Sequence, residues 1–191
     1  GGLTVPDRRP TLWGAFEDFA ALAPGQVIAH ATGRTVGESE HMQLATLFRN
    51  THPLHTDEVY CGTGSFTKER VVYGGLVFAW AAALASRDVA GHALWDLGWE
   101  AGAHPNAVAA GDTIHALSQV LSVEDAGPAT GIVRLALVAV KNVSASSAFA
   151  RRGEALFAPE HEKAEPDERI PEKVFEIRRA LLVAKRERGA Y

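Results

Sequence analysis

Residues 71–86 read VVYGGLVFAWAAALAS, and this stretch decides the fold. From Gly74 onward almost every residue is apolar, which predicts a helix over residues 74–86 that is buried on most sides. The apolar run 71–85 is shorter than the ~20 residues that a bilayer requires, and Arg70 and Arg87 flank it. The stretch therefore predicts the central helix of a globular core and no membrane span.

The segments that follow this helix have the composition of strands. Val, Ile, Leu and Thr are frequent in four of them, and Gly111-Asp112 and Gly127-Pro128 supply turn residues between them. The four predicted strands cover residues 93–101, 112–123, 131–143 and 146–157. A charged, proline-containing loop is predicted over about residues 158–173. Residues 174–185 fit one face of a strand and one face of a helix equally well.

The segments that precede the helix are shorter. Residues 26–36 predict a strand. Ser39 or Glu38 is a suitable cap for a short helix, whose buried face would be formed by four apolar residues. These are Met42, Leu44, Leu47 and Phe48. Residues 57–60 predict one helical turn. Together, the predicted segments indicate an α+β fold in which one buried helix lies among five or six antiparallel strands.

Length and composition exclude several classes of protein. The chain has 191 residues, which predicts one domain at a prior of about 150 residues per domain. Nineteen basic and 23 acidic residues give a net charge of −4, which argues against nucleic-acid binding. Cys61 is the single cysteine, so an internal disulfide is impossible and a reducing cytoplasm is the expected compartment. The first residues lack the basic-then-apolar pattern of a signal peptide.

The densest polar cluster is the loop 50–57, which reads NTHPLHTD. It allows three interpretations. It could be a polar turn without chemistry. It could hold a metal ion through His52, His55 and Asp57, although Pro53 prevents a regular helical face and the chain has no second cluster. It could provide acid–base catalysis, because the ordinary pKa of a histidine suits neutral pH.

A second candidate is the start of the central helix at Tyr73-Gly74-Gly75. Helix N-termini present free backbone N–H groups, and glycine there lets a ligand carbonyl approach the main chain. The competing interpretation is close packing of the helix against the sheet. The stretch 62–67 lacks the third glycine of a dinucleotide-binding loop and predicts a turn. Cys61 is predicted to be packed, and His104, like the other isolated histidines, to be structural or exposed.

Five motifs follow one another along the chain: Gly33-Arg34-Thr35-Val36, Glu40-His41, Asn50-x-x-Pro53-Leu54-His55-x-Asp57-x-x-Tyr60, Val72-Tyr73-Gly74-Gly75-Leu76-Val77 and Ala110-Gly111-Asp112-Thr113. In this order they resemble the MaoC-like, (R)-specific enoyl-CoA hydratase family. The resemblance covers about residues 16–157, and stretches 47–51, 71–75 and 135–141 are most similar to its mesaconyl-CoA hydratase (β-methylmalyl-CoA dehydratase) branch.

The resemblance implies a single hot-dog domain over residues 1–191, in which an antiparallel sheet wraps one long helix and residues 174–185 form the last strand. It implies reversible addition of water to a trans-2-enoyl thioester of CoA or a carrier protein, with no further cofactor and no metal. His55 matches the catalytic histidine, and Gly74 matches the glycine whose N–H polarises the thioester carbonyl. Asn50 stands where typical members have aspartate and would hold the water, since an amide cannot accept a proton near neutral pH.

Further expectations concern the substrate and the assembly. The branch implies a short branched or dicarboxylic enoyl-CoA. Gly75 and Arg49 would assist binding, Arg49 as the partner of a substrate carboxylate, and Trp80 or Phe78 would shorten the acyl tunnel. The alternatives are a solvated Arg49 and simple core packing of both aromatics. An open sheet edge predicts a homodimer joined edge to edge. A non-catalytic acyl-thioester binding protein and a hot-dog thioesterase are the rival functions.

Overall fold

The computed structural model describes residues 19–160 and 169–185. Within these ranges an antiparallel five-stranded sheet is combined with one long helix and three short ones. The strands are β1 (Val27–Thr35), β2 (Ala93–Ala103), β3 (Thr113–Asp125), β4 (Thr130–Lys141) and β5 (Lys173–Ala184). The helices are α1 (Glu38–Leu47), α2 (Glu58–Gly64), α3 (Gly74–Val89) and α4 (Ala145–Arg152), with 3-10 turns at Phe19–Ala21, Pro53–His55 and Gly153–Phe157.

The strands lie in the order β1-β3-β4-β5-β2, and every neighbouring pair is antiparallel. Both predicted turns are present, since Gly111 and Gly127 have φ values of 88° and 135° in the region that favours glycine. Strand β5 is the strand implied by the resemblance and not the alternative helix. Strands β1 and β2 are the two edges of the sheet.

Helix α3 packs across one face of the sheet and forms the main core. Leu76, Val77, Trp80, Ala81 and Ala85 are buried there against residues of β3, β4 and β5. The prediction of a central buried helix is therefore confirmed, with its end three residues beyond residue 86. The prediction of burial on most sides is too broad, because Ala79, Ala83 and Arg87 lie on an exposed face. No helix in the described part of the chain is long and apolar enough to cross a membrane.

A second core lies on the other face of the sheet, beneath α4. The strand predicted over residues 146–157 is wrong, because this segment forms α4 and a 3-10 turn. Its alanines and arginines favour a helix. The Ser144 hydroxyl accepts a hydrogen bond from the Ser147 amide at 3.2 Å and caps the first turn. Ala148 and Leu156 are then buried against Leu117 of β3.

The prediction for α1 is wrong in its cap and in half of its buried face, because Leu44 packs against the main core but Leu47 and Phe48 do not. Gly37 is the N-cap residue and makes no side-chain capping bond, so neither Ser39 nor Glu38 caps the helix. His41 and Ala45 are the buried residues, whereas Leu47 and Phe48 are 72% and 61% exposed. Gly37 has the extended backbone conformation that is usual for an N-cap residue. The helical turn predicted at residues 57–60 is the start of α2. This helix ends at Gly64, so it includes the first three residues of the stretch 62–67, which is predicted as a turn.

The charged loop predicted over residues 158–173 is buried at its two described ends. Lys173 is fully buried and Glu160 is 1% exposed. The Lys173 ammonium lies 2.5 Å from Glu176 and 3.6 Å from Glu160, and it donates to the Ala158 carbonyl at 2.8 Å. Burial of these charges is tolerable because they pair and hydrogen-bond with one another. Residues 161–168 lie outside the described ranges.

Candidate active site

The loop 50–57 is folded by hydrogen bonds between its own side chains and main chain. Asn50 Oδ1 accepts from the His52 amide at 3.1 Å, and His52 Nδ1 accepts from the Leu54 amide at 3.1 Å. Asp57 Oδ1 accepts from the Tyr60 amide at 2.9 Å and caps α2. Asn50, His52 and Asp57 are therefore used in turns and caps. No group of three potential metal ligands is assembled in the described ranges.

His55 differs from these residues, because its ring is fixed from outside the loop. Its Nδ1 lies 2.7 Å from the Val71 carbonyl oxygen, and the Val71 amide donates to the Leu54 carbonyl at 3.0 Å. A carbonyl can only accept, so Nδ1 carries the proton and Nε2 of the neutral ring holds a lone pair. The half-buried ring meets Tyr73 edge to face, with centroids 5.8 Å apart. His55 is thus a positioned base.

Gly74 opens α3 with unused donors. The first acceptor of the helix is the Tyr73 carbonyl, which receives the amides of Leu76 and Val77. Among the described residues no acceptor lies opposite the amides of Gly74 and Gly75, as expected for the first turn. A Cβ atom at Gly74 would lie 2.7 Å from Nε2 of His104. Close packing therefore requires glycine here, and the same glycine leaves a main-chain donor accessible.

His55 and Gly74 line one cleft of about 340 Å³. Phe66, His104, Asn106 and Val108 are among its other walls. The residues that carry a ring nitrogen acceptor and a helix-start N–H donor thus line the same volume. This pair can hold a water beside a carbonyl group whose oxygen accepts from the helix start.

Three predicted site residues are not among the walls of this cleft. Arg49 is exposed and ends α1 with a φ of 55°. Gly75 lies under the Tyr73 ring, which a Cβ would meet at 2.7 Å. Asn50 is half-buried in the turn described above. The roles of these three residues in binding or catalysis stay predictions.

The two aromatic residues considered for the acyl tunnel pack in the core. Trp80 is 7% exposed, and the Arg34 guanidinium lies 5.0 Å from its ring centre. The Phe78 ring lies 5.6 Å from that of Phe175 and 5.4 Å from that of Trp99. Neither residue lines the cleft.

Cys61 has the packed environment expected from the sequence. Its side chain is fully buried, and the thiol donates to the Leu54 carbonyl at 3.4 Å. Burial raises the pKa of the thiol, with nearby Glu58 and Asp57 acting in the same direction. A thiol in this environment is a poor nucleophile.

Sequence reasoning missed His104 and Asn106. Both follow the end of β2 and precede the Gly111-Asp112 turn, so a polar stretch between a strand and a turn was the available signal. Partial burial lowers the pKa of His104, and a hydrogen bond with the main chain at Val174 acts against that change. The ring therefore stays neutral at pH 7 although its edge is open to the cleft.

Sequence comparison relates the chain to two hydratases. It is 39% identical over 142 residues to mesaconyl-CoA hydratase of Cereibacter sphaeroides, covering 74% of this chain and 40% of that protein. It is 38% identical over 98 residues to β-methylmalyl-CoA dehydratase of Chloroflexus aurantiacus, covering 51% of this chain and 27% of that protein. The chain thus spans less than half the length of either relative. No protein-family model matches the sequence.

Structural comparison agrees with this relation. A MaoC-domain protein from Chloroflexus aurantiacus superimposes with a TM-score of 0.73 at 27% identity, covering 91% of this chain and 46% of that one. The chain is similar in sequence and in fold to MaoC-like dehydratases. A double hot-dog protein from Mycobacterium tuberculosis superimposes with a TM-score of 0.67 at 15% identity, covering 92% of this chain and 46% of that one. The predicted hot-dog fold and MaoC-like resemblance are therefore confirmed.

Proposed function

We propose that this MaoC-like chain is an acyl-thioester hydratase/dehydratase that adds water reversibly to a trans-2-enoyl-CoA. The observation that carries the proposal is the pairing of the His55 lone pair with the free Gly74 N–H in one cleft. The relation to mesaconyl-CoA hydratase at 39% identity supports the same reaction class.

In the hydration direction the two groups act on opposite ends of the enoyl system. The thioester oxygen accepts from the Gly74 N–H, while His55 Nε2 removes a proton from a water. The water oxygen bonds to Cβ of the substrate, and the electron pair of the double bond moves onto the thioester oxygen as an enolate. The imidazolium then returns its proton to Cα. A donor such as Gly74 N–H contributes about 3 kcal/mol to such a barrier.

The test is incubation of the purified protein with crotonyl-CoA and mesaconyl-CoA, with the products identified by mass. We expect a 3-hydroxyacyl thioester whose mass exceeds that of the enoyl substrate by one water. Release of free CoA would indicate a thioesterase, and binding without reaction would indicate a non-catalytic acyl-thioester binding protein. Either result would contradict the proposal.

The substrate class is a finer part of the proposal. We expect a short branched or dicarboxylic enoyl-CoA, since both sequence relatives act on compounds that their names describe as mesaconyl- or β-methylmalyl-CoA. A series of crotonyl-, hexenoyl-, decenoyl- and mesaconyl-CoA under one condition tests this expectation. A preference for decenoyl-CoA would contradict it, and equal rates with crotonyl- and mesaconyl-CoA would remove any recognition role of Arg49.

The assembly follows from the edge of the sheet at β2. Four large apolar side chains of this strand are 47% to 70% exposed: Leu94, Trp95, Leu97 and Trp99. An open edge of this composition favours pairing with another sheet. We infer a homodimer joined along β2, in a cytoplasmic setting that suits the single free cysteine. Trp95→Glu should shift light scattering at micromolar concentration from dimer to monomer; a monomeric parent protein would contradict the dimer.

A further inference from the structure

A second water-binding group is needed beside His55. A water that loses one proton to His55 keeps its other O–H, and holding that O–H fixes the attack direction of the oxygen. Asn50 was expected to hold the water, but its Oδ1 is already bonded to the His52 amide and it does not line the cleft. The polar walls of the cleft that the reaction has not used are His104 and Asn106.

His104 lies directly beside the oxyanion donor. Its Nε2 would be 2.7 Å from a Cβ at Gly74, so it lies within roughly 5 Å of the Gly74 nitrogen by standard backbone dimensions. The ring also lies against Phe175, with centroids 4.9 Å apart and the two planes tilted by 40°. A carbonyl bound at Gly74 would therefore place its conjugated carbons within reach of His104.

The segment that carries His104 is fixed to the same main chain as His55. The Val72 amide donates to the Val108 carbonyl at 2.8 Å, one residue after the Val71 carbonyl that orients His55. Asn106 Nδ2 donates to the carbonyls of Ile170 and Lys173 at 2.9 and 2.8 Å, which ties this segment to the start of β5. Two histidines are thus held at one site by the residues immediately before α3.

We propose that His104 is a catalytic residue of the hydration reaction, whose Nε2 accepts a hydrogen bond from the attacking water. His55 removes one proton of this water, and His104 holds the other, which stays on the hydroxyl group of the product. The inference rests on the proposed function, and it moves the role expected of Asn50 to a residue on a different segment.

The test compares two amides at position 104. The glutamine amide reaches the place of Nε2, whereas the asparagine amide reaches only the place of Nδ1. We expect His104→Asn to lower kcat by about 10²-fold and His104→Gln by less than about 10-fold, within the range for a positioned acid–base group. KM for crotonyl-CoA should change less than threefold in both. Asn50→Ala should lower kcat less than His104→Asn does.

His115 provides a matched control. Like His104, His115 lies over a glycine, since a Cβ at Gly33 would be 2.5 Å from its ring. Burial lowers the pKa of His115 as it does that of His104. Unlike His104, His115 does not line the cleft. His115→Gln should therefore leave kcat unchanged. Thermal unfolding of all variants shows whether each is folded.

The following results would contradict the proposed role of His104 or the proposed function. If His104→Asn retains the kcat of the parent protein, or if both amides lower kcat equally, the water-binding role is wrong while the hydratase function stands. If KM rises and kcat does not fall, His104 binds the acyl group and the proposal is also wrong. If the parent protein hydrates no enoyl-CoA, the proposed function fails first.

Discussion

The two ends of α3 carry similar polar residues in opposite environments. At its N-terminal end, His55 and Gly74 face an open cleft of about 340 Å³. At its C-terminal end, His30 Nδ1 lies 2.5 Å from Asp88 Oδ2, and His30 Nε2 lies 2.9 Å from the Ser118 hydroxyl. His30 and Ser118 are at most 1% exposed, and the cavity beside Asp88 is about 10 Å³.

The comparison shows that a hydrogen-bonded set of reactive residue types is not by itself an active site. The order Ser118, His30, Asp88 is that of a hydrolase triad, but no substrate can reach the Ser118 hydroxyl. This set joins β1, β3 and α3 inside the protein. The His55 ring has one hydrogen-bond partner among the described residues, the Val71 carbonyl, and His55 lines a cleft. Access to solvent separates the end proposed to be catalytic from the structural end.

The largest effect is expected at the open end. His55→Ala should lower kcat for crotonyl-CoA hydration by at least about 10²-fold, because His55 is the group that removes the water proton in the proposed reaction. The thermal unfolding midpoint should change little, since His55 is half-buried in a loop. Steady-state kinetics of the folded variant check this. A variant with unchanged turnover would remove His55 from the mechanism.

The second-largest effect is a loss of stability, and it is expected at the closed, C-terminal end of α3. Asp88→Ala should lower the free energy of unfolding by about 3 kcal/mol, because it leaves His30 buried without its charged partner. Denaturant unfolding measures the change. The kcat of the remaining folded protein should equal that of the parent. A tenfold loss of kcat without loss of stability would contradict the division between the two ends.

A smaller effect concerns pH. Burial lowers the pKa of His41, with Arg70 and His55 contributing, and neither ring nitrogen of His41 has a hydrogen-bond partner. The unfolded chain therefore binds the extra proton below about pH 6.5, and the free energy of unfolding falls as pH drops through that value. His41→Leu should reduce this loss by at most about 1.4 kcal/mol per pH unit. Equal pH dependence in parent and variant would contradict the assignment.

The smallest effect is expected for Ser118→Ala. The hydroxyl donates to His30 Nε2, so its removal leaves one buried acceptor unpaired and should cost about 1 kcal/mol of unfolding free energy. Hydration and any thioester hydrolysis should both be unchanged. Loss of a hydrolytic activity in this variant would show that the closed end opens to substrate.

Much of the fold can be predicted from the sequence, for physical reasons that differ between elements. The apolar composition of residues 74–86 predicts α3 because such a helix is stable only when buried. The alternation in residues 26–36 likewise predicts β1. Residues 146–157 were mispredicted because their apolar residues fit a strand, while the Ser144 cap and the alanines favour α4.

The site was predictable only where its residues are close in the chain. His55 stands in a dense polar cluster, and Gly74 opens the most apolar helix, so both attract attention. His104 is isolated in the sequence and comes to Gly74 only through the pairing of Val72 with Val108. Long-range contacts of this kind leave no local pattern. For the same reason the burial of His41 in place of Leu47 was not foreseen.

The central claim is that the thioester binds at the N-terminal end of α3. A crystal structure with a saturated acyl-CoA tests it most directly. We predict the thioester oxygen at about 2.9 Å from the Gly74 nitrogen, with the acyl chain between His55 and His104. An acyl group bound elsewhere, with the Gly74 N–H still facing solvent, would contradict the account.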